Sequence, residues 1–209
     1  MDAPIAMLAT ATDAFAALIH DPVVEERWDE GSVCPPYTVG GMVAHVATGL
    51  VWTAKLLAAD PPRDAPPVSE ATSYFETVDA AGEALHRALE ADGNRRAARG
   101  VAAHRDLLTS LTAQLRNMPE ADPEALLDLR PTWPGAITVA DFTRTRLVEV
   151  VVHGDDVAAS VGLSLHVDPA VGDCLLDFLW ARARTHRRDI ELVRGLVRGE
   201  RAEDVFPIG

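Results

Sequence analysis

Residues 147–156, LVEVVVHGDD, decide the fold class of this chain. Their valines favour a β-strand, because β-branched side chains are common in strands. The longer segment around them favours a helix, because it extends from Thr138 to Gly162 without a turn signal, far beyond the usual strand of about 5–6 residues. Thr138 and Asp141 have the spacing of a helix cap, and glycine is a common helix end. We therefore predict one long helix from 138 to 162.

The helical assignment brings two polar residues of this stretch together. On a strand, Glu149 and His153 would lie about 13 Å apart, at ~3.3 Å per residue. On a helix, residues four apart are neighbours, with Cβ atoms about 5–6 Å apart, and can bind one ion. The valines predict a buried setting, where an unpaired carboxylate is costly and a cation would offset that cost. The alternative is a Glu–His hydrogen bond on a solvated helix face.

His45 is the candidate for a third ligand. It lies in the middle of a predicted helix, GGMVAHVATGL (40–50), among small and apolar residues. The alternative is a core histidine whose hydrogen bonds are satisfied. For the other histidines, which lie near helix ends or among charged residues, we predict surface positions: His20, His86, His104, His166 and His186. Two histidines and one carboxylate leave a coordination position open, as in catalytic zinc sites.

Helical periodicity and capping residues extend over the whole chain. They predict helices over residues 2–19, 39–59, 70–91, 95–117, 138–162 and 168–186. Gly93 and Asn94 are predicted to end the third of these helices, and residues 119–137 to form a connection without a hairpin. The elements predict an all-α bundle, and we expect residues 1–209 to form a single domain.

Charge and cysteine content narrow the possible functions. The net charge of −13 would repel a nucleic-acid backbone. No apolar run reaches the ~18 residues of a membrane span, and the start of the chain lacks the basic region of a signal peptide. We therefore expect a cytoplasmic protein with neither a nucleic-acid nor a membrane partner. Cys34 and Cys174 lie outside any C-x-x-C motif and are expected to be reduced thiols.

Two segments carry a family resemblance. CPPYTVGGMVAHVA (34–47) contains T-V followed by a histidine six residues later, and TVADFTRTRLVEVVVHGDDVAA (138–159) contains E-x-x-x-H-x-x-D. The chain thereby resembles the N-terminal domain of mycothiol-dependent maleylpyruvate isomerase. That resemblance implies a DinB-like four-helix bundle with additional helices, in which His45, Glu149 and His153 hold a divalent metal, usually zinc. It also implies that mycothiol binds there through its sulfur, which zinc would deprotonate.

The resemblance also sets the expected function. The isomerase has a second, C-terminal domain, which we expect to be absent here, so maleylpyruvate is not the expected substrate. We expect a zinc-dependent enzyme, an S-transferase or an isomerase, that acts with a small thiol on a small electrophile. The alternatives are a non-catalytic metal-binding bundle with a stress-related or regulatory role, and a bundle that binds no metal. The apolar surface of such a bundle is compatible with a homodimer.

Four further residues are candidates for the pocket or its support. Asp156 lies on the same helical stripe as the two predicted ligands and can accept a hydrogen bond from a ligand imidazole; the alternative is a solvated acid. Trp52 and Trp133 either wall the pocket or belong to the core. Arg146 either pairs with the ligand carboxylate, meets an anionic substrate or forms a surface salt bridge.

Overall fold

The computed structural model describes residues 4–62, 64, 68–130 and 135–185 of the 209-residue chain. The helices are α1 (Pro4–Ile19), α2 (Pro22–Glu26), α3 (Val39–Leu57), α4 (Ala71–Ala97), α5 (Gly100–Arg116), α6 (Val139–Val161) and α7 (Pro169–Thr185). The strands are β1 (Val68–Ser69), β2 (Leu126–Asp128) and β3 (Ala136–Thr138). The prediction of an all-α fold is confirmed. Within the described residues, no helix is long and apolar enough to cross a membrane.

The two helices that carry the candidate ligands begin as predicted, and α6 also ends as predicted, whereas α3 ends two residues early at Leu57. Thr38 accepts a hydrogen bond from the Gly41 amide at 2.9 Å, and Thr138 accepts one from the Asp141 amide at 3.1 Å. Each threonine satisfies an N–H group that has no partner inside its helix. Gly162 ends α6 with a φ of 75°, in the left-handed region that a residue without Cβ adopts easily.

The hydrophobic core lies between α1, α3, α5 and α6. The first helix packs against α5 and α6, and α3 packs against α4, α5 and α6. Each of the four core helices contributes large side chains that are fully buried, among them Phe15, Leu50, Leu108 and Phe142. Burial of one such side chain is worth about 1.5–3 kcal/mol. This is the four-helix bundle with additional helices that the family resemblance implies, and its packing fixes α3 beside α6.

The predicted helix end at Gly93 and Asn94 is wrong, because α4 continues through both residues. They lie where α4 crosses α3. A Cβ on Gly93 would lie 2.7 Å from the Gly41 carbonyl oxygen and 2.9 Å from Cε1 of Tyr37, so this position requires glycine. Asn94 accepts a hydrogen bond from the Thr38 amide at 3.0 Å. The two residues therefore serve the contact between the helices and do not end one.

Three features of the structure are absent from the sequence prediction. Helix α4 is interrupted at Gly82, where φ is 70°. The short α2 follows Asp21, whose side chain accepts a hydrogen bond from the Val23 amide at 2.9 Å. In the connection before α6, β2 and β3 pair antiparallel, and β3 also pairs in parallel with β1. The expectation of no hairpin is wrong here, because strands of three residues are too short to show an alternating pattern.

Candidate metal centre

Helices α3 and α6 bring the three predicted ligands together. His45 lies on α3, and Glu149 and His153 lie one turn apart on α6. Nε2 of His45 and Nε2 of His153 each lie 3.6 Å from Oε2 of Glu149. One donor atom from each side chain lies within 4.8 Å of the other two. The side chains of this His-Glu-His cluster are 18–24% exposed, so the cluster is in partial contact with solvent.

The second ring nitrogen of each histidine has its own partner. Nδ1 of His153 lies 3.0 Å from Oδ2 of Asp156, and Nδ1 of His45 lies 3.3 Å from Oη of Tyr37. The Asp156 carboxylate can only accept, so it favours the tautomer of His153 that carries its proton on Nδ1 and its lone pair on Nε2. The Tyr37 hydroxyl can donate to or accept from Nδ1 of His45, and it holds that ring in place. Nε2 is the nitrogen that faces Glu149 in both rings. Asp156 therefore occupies the place expected of it, beside the imidazole of His153.

Tyr37 is a residue of this site that the sequence reasoning missed. It lies in the loop before α3 and is buried, with its ring close to Gly93 of α4. The same loop is held by Asn94, whose Nδ2 donates a hydrogen bond to the Pro36 carbonyl oxygen at 3.1 Å. The available signal was the position of Tyr37 in CPPYTV, just ahead of the helix that carries His45. Nothing in that pattern gives the direction of the tyrosine side chain.

Electrostatics keep the carboxylate of the cluster ionised and favour a proton on His153. Burial raises the pKa of Glu149, but the contact with His45 and the charges of Arg146 and His153 lower it to about 2. Burial lowers the pKa of His153, but the hydrogen bond to Asp156 and the charge of Glu149 raise it above its ordinary value. The carboxylate is therefore available as a ligand at neutral pH, and a cation must compete with a proton on His153.

Arg146 is buried, which corrects the expectation of a surface salt bridge. Only 6% of the residue is exposed, and its Nη2 lies 4.0 Å from Oε1 of Glu149. The rings of Trp52, Tyr74 and Phe142 lie 5.9, 5.1 and 5.3 Å from the guanidinium carbon and form an aromatic cage around it. Trp52, a candidate for the pocket wall, therefore lies in this cage, edge-on against Phe142.

Two further sequence predictions concern Trp133 and His104. Trp133, the other candidate for the pocket wall, lies outside the described residues. His104, expected on the surface, is buried: 4% of it is exposed. Its Nδ1 lies 2.8 Å from the Gly100 carbonyl oxygen, and its ring packs against Trp28 at 5.3 Å between centroids. These two contacts provide the hydrogen-bond partner and the packing that a buried histidine needs. The sequence around His104 did not show them.

A cavity of about 880 Å³ lies on the opposite face of α6. Five residues of α6 line it, together with residues of α1 and α7: Ala140, Asp141, Thr143, Arg144 and Leu147. At about 100° per residue, these positions face away from Glu149 and His153. The cavity is therefore separate from the His-Glu-His cluster.

The donor set of the cluster fits a divalent cation of the zinc type. Two imidazole nitrogens and one carboxylate are common ligands of catalytic zinc, at about 2.0–2.2 Å from the metal. Ligand atoms at such bond lengths around a tetrahedral centre lie about 3.3 Å apart. The corresponding distance between each histidine Nε2 and Oε2 of Glu149 is 3.6 Å. Three protein ligands leave a fourth position for water or a thiol.

The fold is a helical bundle, and the His-Glu-His cluster between two of its helices is a candidate metal site. Residues 8–158 match the sequence model of the mycothiol maleylpyruvate isomerase N-terminal domain, and the chain belongs to this family. The matched range includes all three residues of the His-Glu-His cluster. Comparisons with curated proteins and with solved structures gave no match.

Proposed function

We propose that this protein is a zinc-dependent enzyme that uses mycothiol or a related small thiol, as an S-transferase or an isomerase. The observation that carries the proposal is the position of both histidine Nε2 atoms at 3.6 Å from the same oxygen of Glu149. Both Nδ1 atoms have other partners, so both Nε2 atoms are directed to one place. Membership of the family supports a mycothiol-related role.

The proposed metal ligands are His45, Glu149 and His153. Bound there, Zn²⁺ would lower the pKa of a thiol in the fourth position, so that the thiol is ionised near neutral pH. The protein groups around the cluster have separate tasks. Asp156 and Tyr37 orient the two imidazoles through their Nδ1 atoms. The partial exposure of the cluster admits the thiol and a small electrophile.

The cysteines of the chain are poorly suited to supply the reacting thiolate. Burial and the charges of Asp156 and Glu90 raise the pKa of the Cys34 thiol. Burial likewise raises the pKa of the Cys174 thiol, which lines the cavity on the opposite face of α6. A raised pKa leaves less thiolate at neutral pH. In the proposed reaction the thiol therefore comes from outside the chain.

Two reaction types follow from an activated external thiol. In an S-transferase, the thiolate sulfur bonds to an electrophilic carbon, the bond from that carbon to its leaving group breaks, and the sulfur stays on the product. In an isomerase, the sulfur adds reversibly to a conjugated double bond, the resulting single bond rotates, and elimination returns the thiol. We place either reaction in the cytoplasm, where small thiols are kept reduced, without a nucleic-acid or membrane partner. A homodimer is compatible with both.

Metal content tests the ligand assignment. Protein purified without an affinity tag is expected to hold about one zinc per chain by elemental analysis. The variants His45→Ala, Glu149→Gln and His153→Ala are each expected to reduce zinc to background. His104→Ala is the matched control, because it removes a buried histidine that belongs to α5 and not to the cluster. Wild-type zinc content in any of the three cluster variants contradicts the assignment of that residue.

Turnover tests the thiol chemistry. Zinc-loaded protein is assayed with mycothiol, glutathione and bacillithiol, each against maleylpyruvate and a set of generic electrophiles. We expect thiol-dependent turnover with at least one pair, and its loss in Glu149→Gln. Stoichiometric zinc without any thiol-dependent turnover would leave a metal-binding bundle and contradict the enzymatic part of the proposal.

A further inference from the structure

Arg146 is a buried cation beside the His-Glu-His cluster. It lies three residues before Glu149 on α6, and its Nη2 is fully buried without a hydrogen-bond partner. The aromatic cage of Trp52, Tyr74 and Phe142 surrounds its guanidinium. Aromatic faces attract a cation, but they do not replace a directed oxygen acceptor. The Tyr74 hydroxyl of the cage also accepts a hydrogen bond from the guanidinium, and Nη2 is the donor that is left without a partner.

The two carboxylate oxygens of Glu149 face different groups. Oε2 lies 3.6 Å from Nε2 of both His45 and His153. Oε1 lies 4.0 Å from Nη2 of Arg146, about 1 Å longer than an N–H···O hydrogen bond. A carboxylate oxygen is the acceptor that a guanidinium N–H prefers, and a small rotation of the carboxylate would complete the bond. Oε1 of Glu149, which is directed away from the histidines, is therefore the acceptor available to the unsatisfied Nη2 of Arg146.

We infer that Arg146 is a positioning residue that binds Oε1 of Glu149 and leaves only Oε2 for the metal. The inference rests on the proposed metal site. A carboxylate that binds a cation through both oxygens takes two coordination positions, whereas one held through a single oxygen takes one. Arg146 thereby keeps a position open for the external thiol. Arginine suits this task because it stays charged when buried and holds its donors in a rigid plane.

Cobalt(II) in place of zinc makes the coordination visible, because four-coordinate Co²⁺ absorbs several-fold more strongly in the visible range than five- or six-coordinate Co²⁺. The wild-type protein is expected to show the strong absorption. Arg146→Met retains the length of the side chain without charge or donor, and is expected to lose about half of that absorption or more. It is also expected to bind 2-mercaptoethanol, the probe thiol, about 10-fold more weakly. Arg146→Lys restores the charge and should recover part of both signals.

Arg182 provides a matched control for the loss of a buried arginine. It lies on α7, is 5% exposed, and its guanidinium carbon lies 5.3 Å from the ring of Phe75. Arg182→Met therefore removes the same kind of packed cation outside the cluster. It is expected to lower thermal stability and to leave the cobalt spectrum and the affinity for 2-mercaptoethanol unchanged.

A folded Arg146→Met protein with the wild-type spectrum and thiol affinity overturns the inference, because Arg146 then acts through packing alone. If this variant does not fold, X-ray absorption on wild-type zinc protein decides. Two oxygens of Glu149 at bonding distance overturn the inference, and one oxygen supports it. A wild-type protein that binds neither cobalt nor zinc refutes the proposed function itself, whereas metal bound through both oxygens refutes only the role of Arg146.

Discussion

Nδ1 of His153 lies 3.0 Å from Oδ2 of Asp156, three residues further along α6. The carboxylate accepts the hydrogen bond of the Nδ1 proton and leaves Nε2 to face Glu149. Burial lowers the pKa of His153, but Asp156, through this bond and its charge, helps to raise it above the ordinary value. Asp156 therefore has two opposed effects on a metal: it orients the ligand, and it also favours the proton that competes with the metal.

Asp156→Asn should separate these two effects. At a pH well above the raised pKa of His153, where the ring is neutral in both proteins, we expect zinc affinity to fall about 10–100-fold, because the amide orients and polarises the ring less well. In the wild type, affinity should decline further as the pH falls through the raised pKa of His153, because the protonated ring cannot bind. In the variant that pKa is lower, so the decline should begin at lower pH. Competition with a chelator at a series of pH values measures both.

Asp155→Asn is the control for this experiment. Asp155 is exposed and adjacent in sequence, so its substitution removes the same charge without touching the Nδ1 contact. We expect wild-type zinc affinity and an unchanged pH profile. Equal effects of the two substitutions would show that charge in general, and not the contact with His153, controls the affinity.

Tyr37→Phe should weaken zinc binding by about 10-fold, because Nδ1 of His45 loses its partner. The ring remains in place, so the free energy of unfolding should change by only about 1 kcal/mol. Chelator competition measures the affinity, and urea unfolding of the metal-free protein measures the stability. Unchanged affinity with reduced stability would mean that the hydroxyl supports the fold and not the ligand.

Gly93→Ala should destabilise the protein by about 1–3 kcal/mol, because the added methyl group meets the Gly41 carbonyl oxygen and the Tyr37 ring. Gly172→Ala, inside α7, is the control: a Cβ there meets nothing within 4 Å. It should stabilise by about 0.5–1 kcal/mol, since alanine favours a helix over glycine. Urea unfolding compares the two variants. A Gly93→Ala protein as stable as the wild type would contradict the close contact between α3 and α4.

Zinc should raise the melting temperature of the wild-type protein. A ligand that binds only the folded state at 100 times its Kd adds about 2.7 kcal/mol. For a chain of this size, that corresponds to roughly 5–10 °C. Glu149→Gln should show no zinc-dependent shift, and a chelator should reverse the wild-type shift. Calorimetric scans with and without zinc provide the measurement, and an equal shift in the variant would place the binding site elsewhere.

Local signals predicted those parts of the fold and site that depend on neighbours in sequence. Thr38, Thr138 and Gly162 set helix ends through contacts within a few residues, so their roles were readable from the chain alone. Glu149 and His153 share a helix, and helical spacing alone brings them together. The pairing with His45 was also predicted, because a metal of this type requires a third ligand and this histidine has a helical, apolar setting.

Contacts between elements distant in sequence were not predictable in the same way. The pair Gly93 and Asn94 is typical of a helix end. Only the crossing of α4 over α3 explains why a glycine lies inside the helix. Tyr37 reaches His45 because the loop before α3 is held by α4. His104 was expected on the surface and a surface salt bridge was one of three alternatives for Arg146, yet aromatic partners from other elements bury both residues. Such partners have no signature in the local pattern.

The close approach of Gly93 to Tyr37 has an evolutionary consequence. Gly93 binds no ligand, but it should be subject to the same selection as the proposed metal ligands. Its small size determines where Tyr37, the partner of His45, can lie. Across the family, we expect a glycine at this position wherever the tyrosine and the histidine are both retained. Lineages that lose the tyrosine should be free to accept larger residues there, so that the two positions change together.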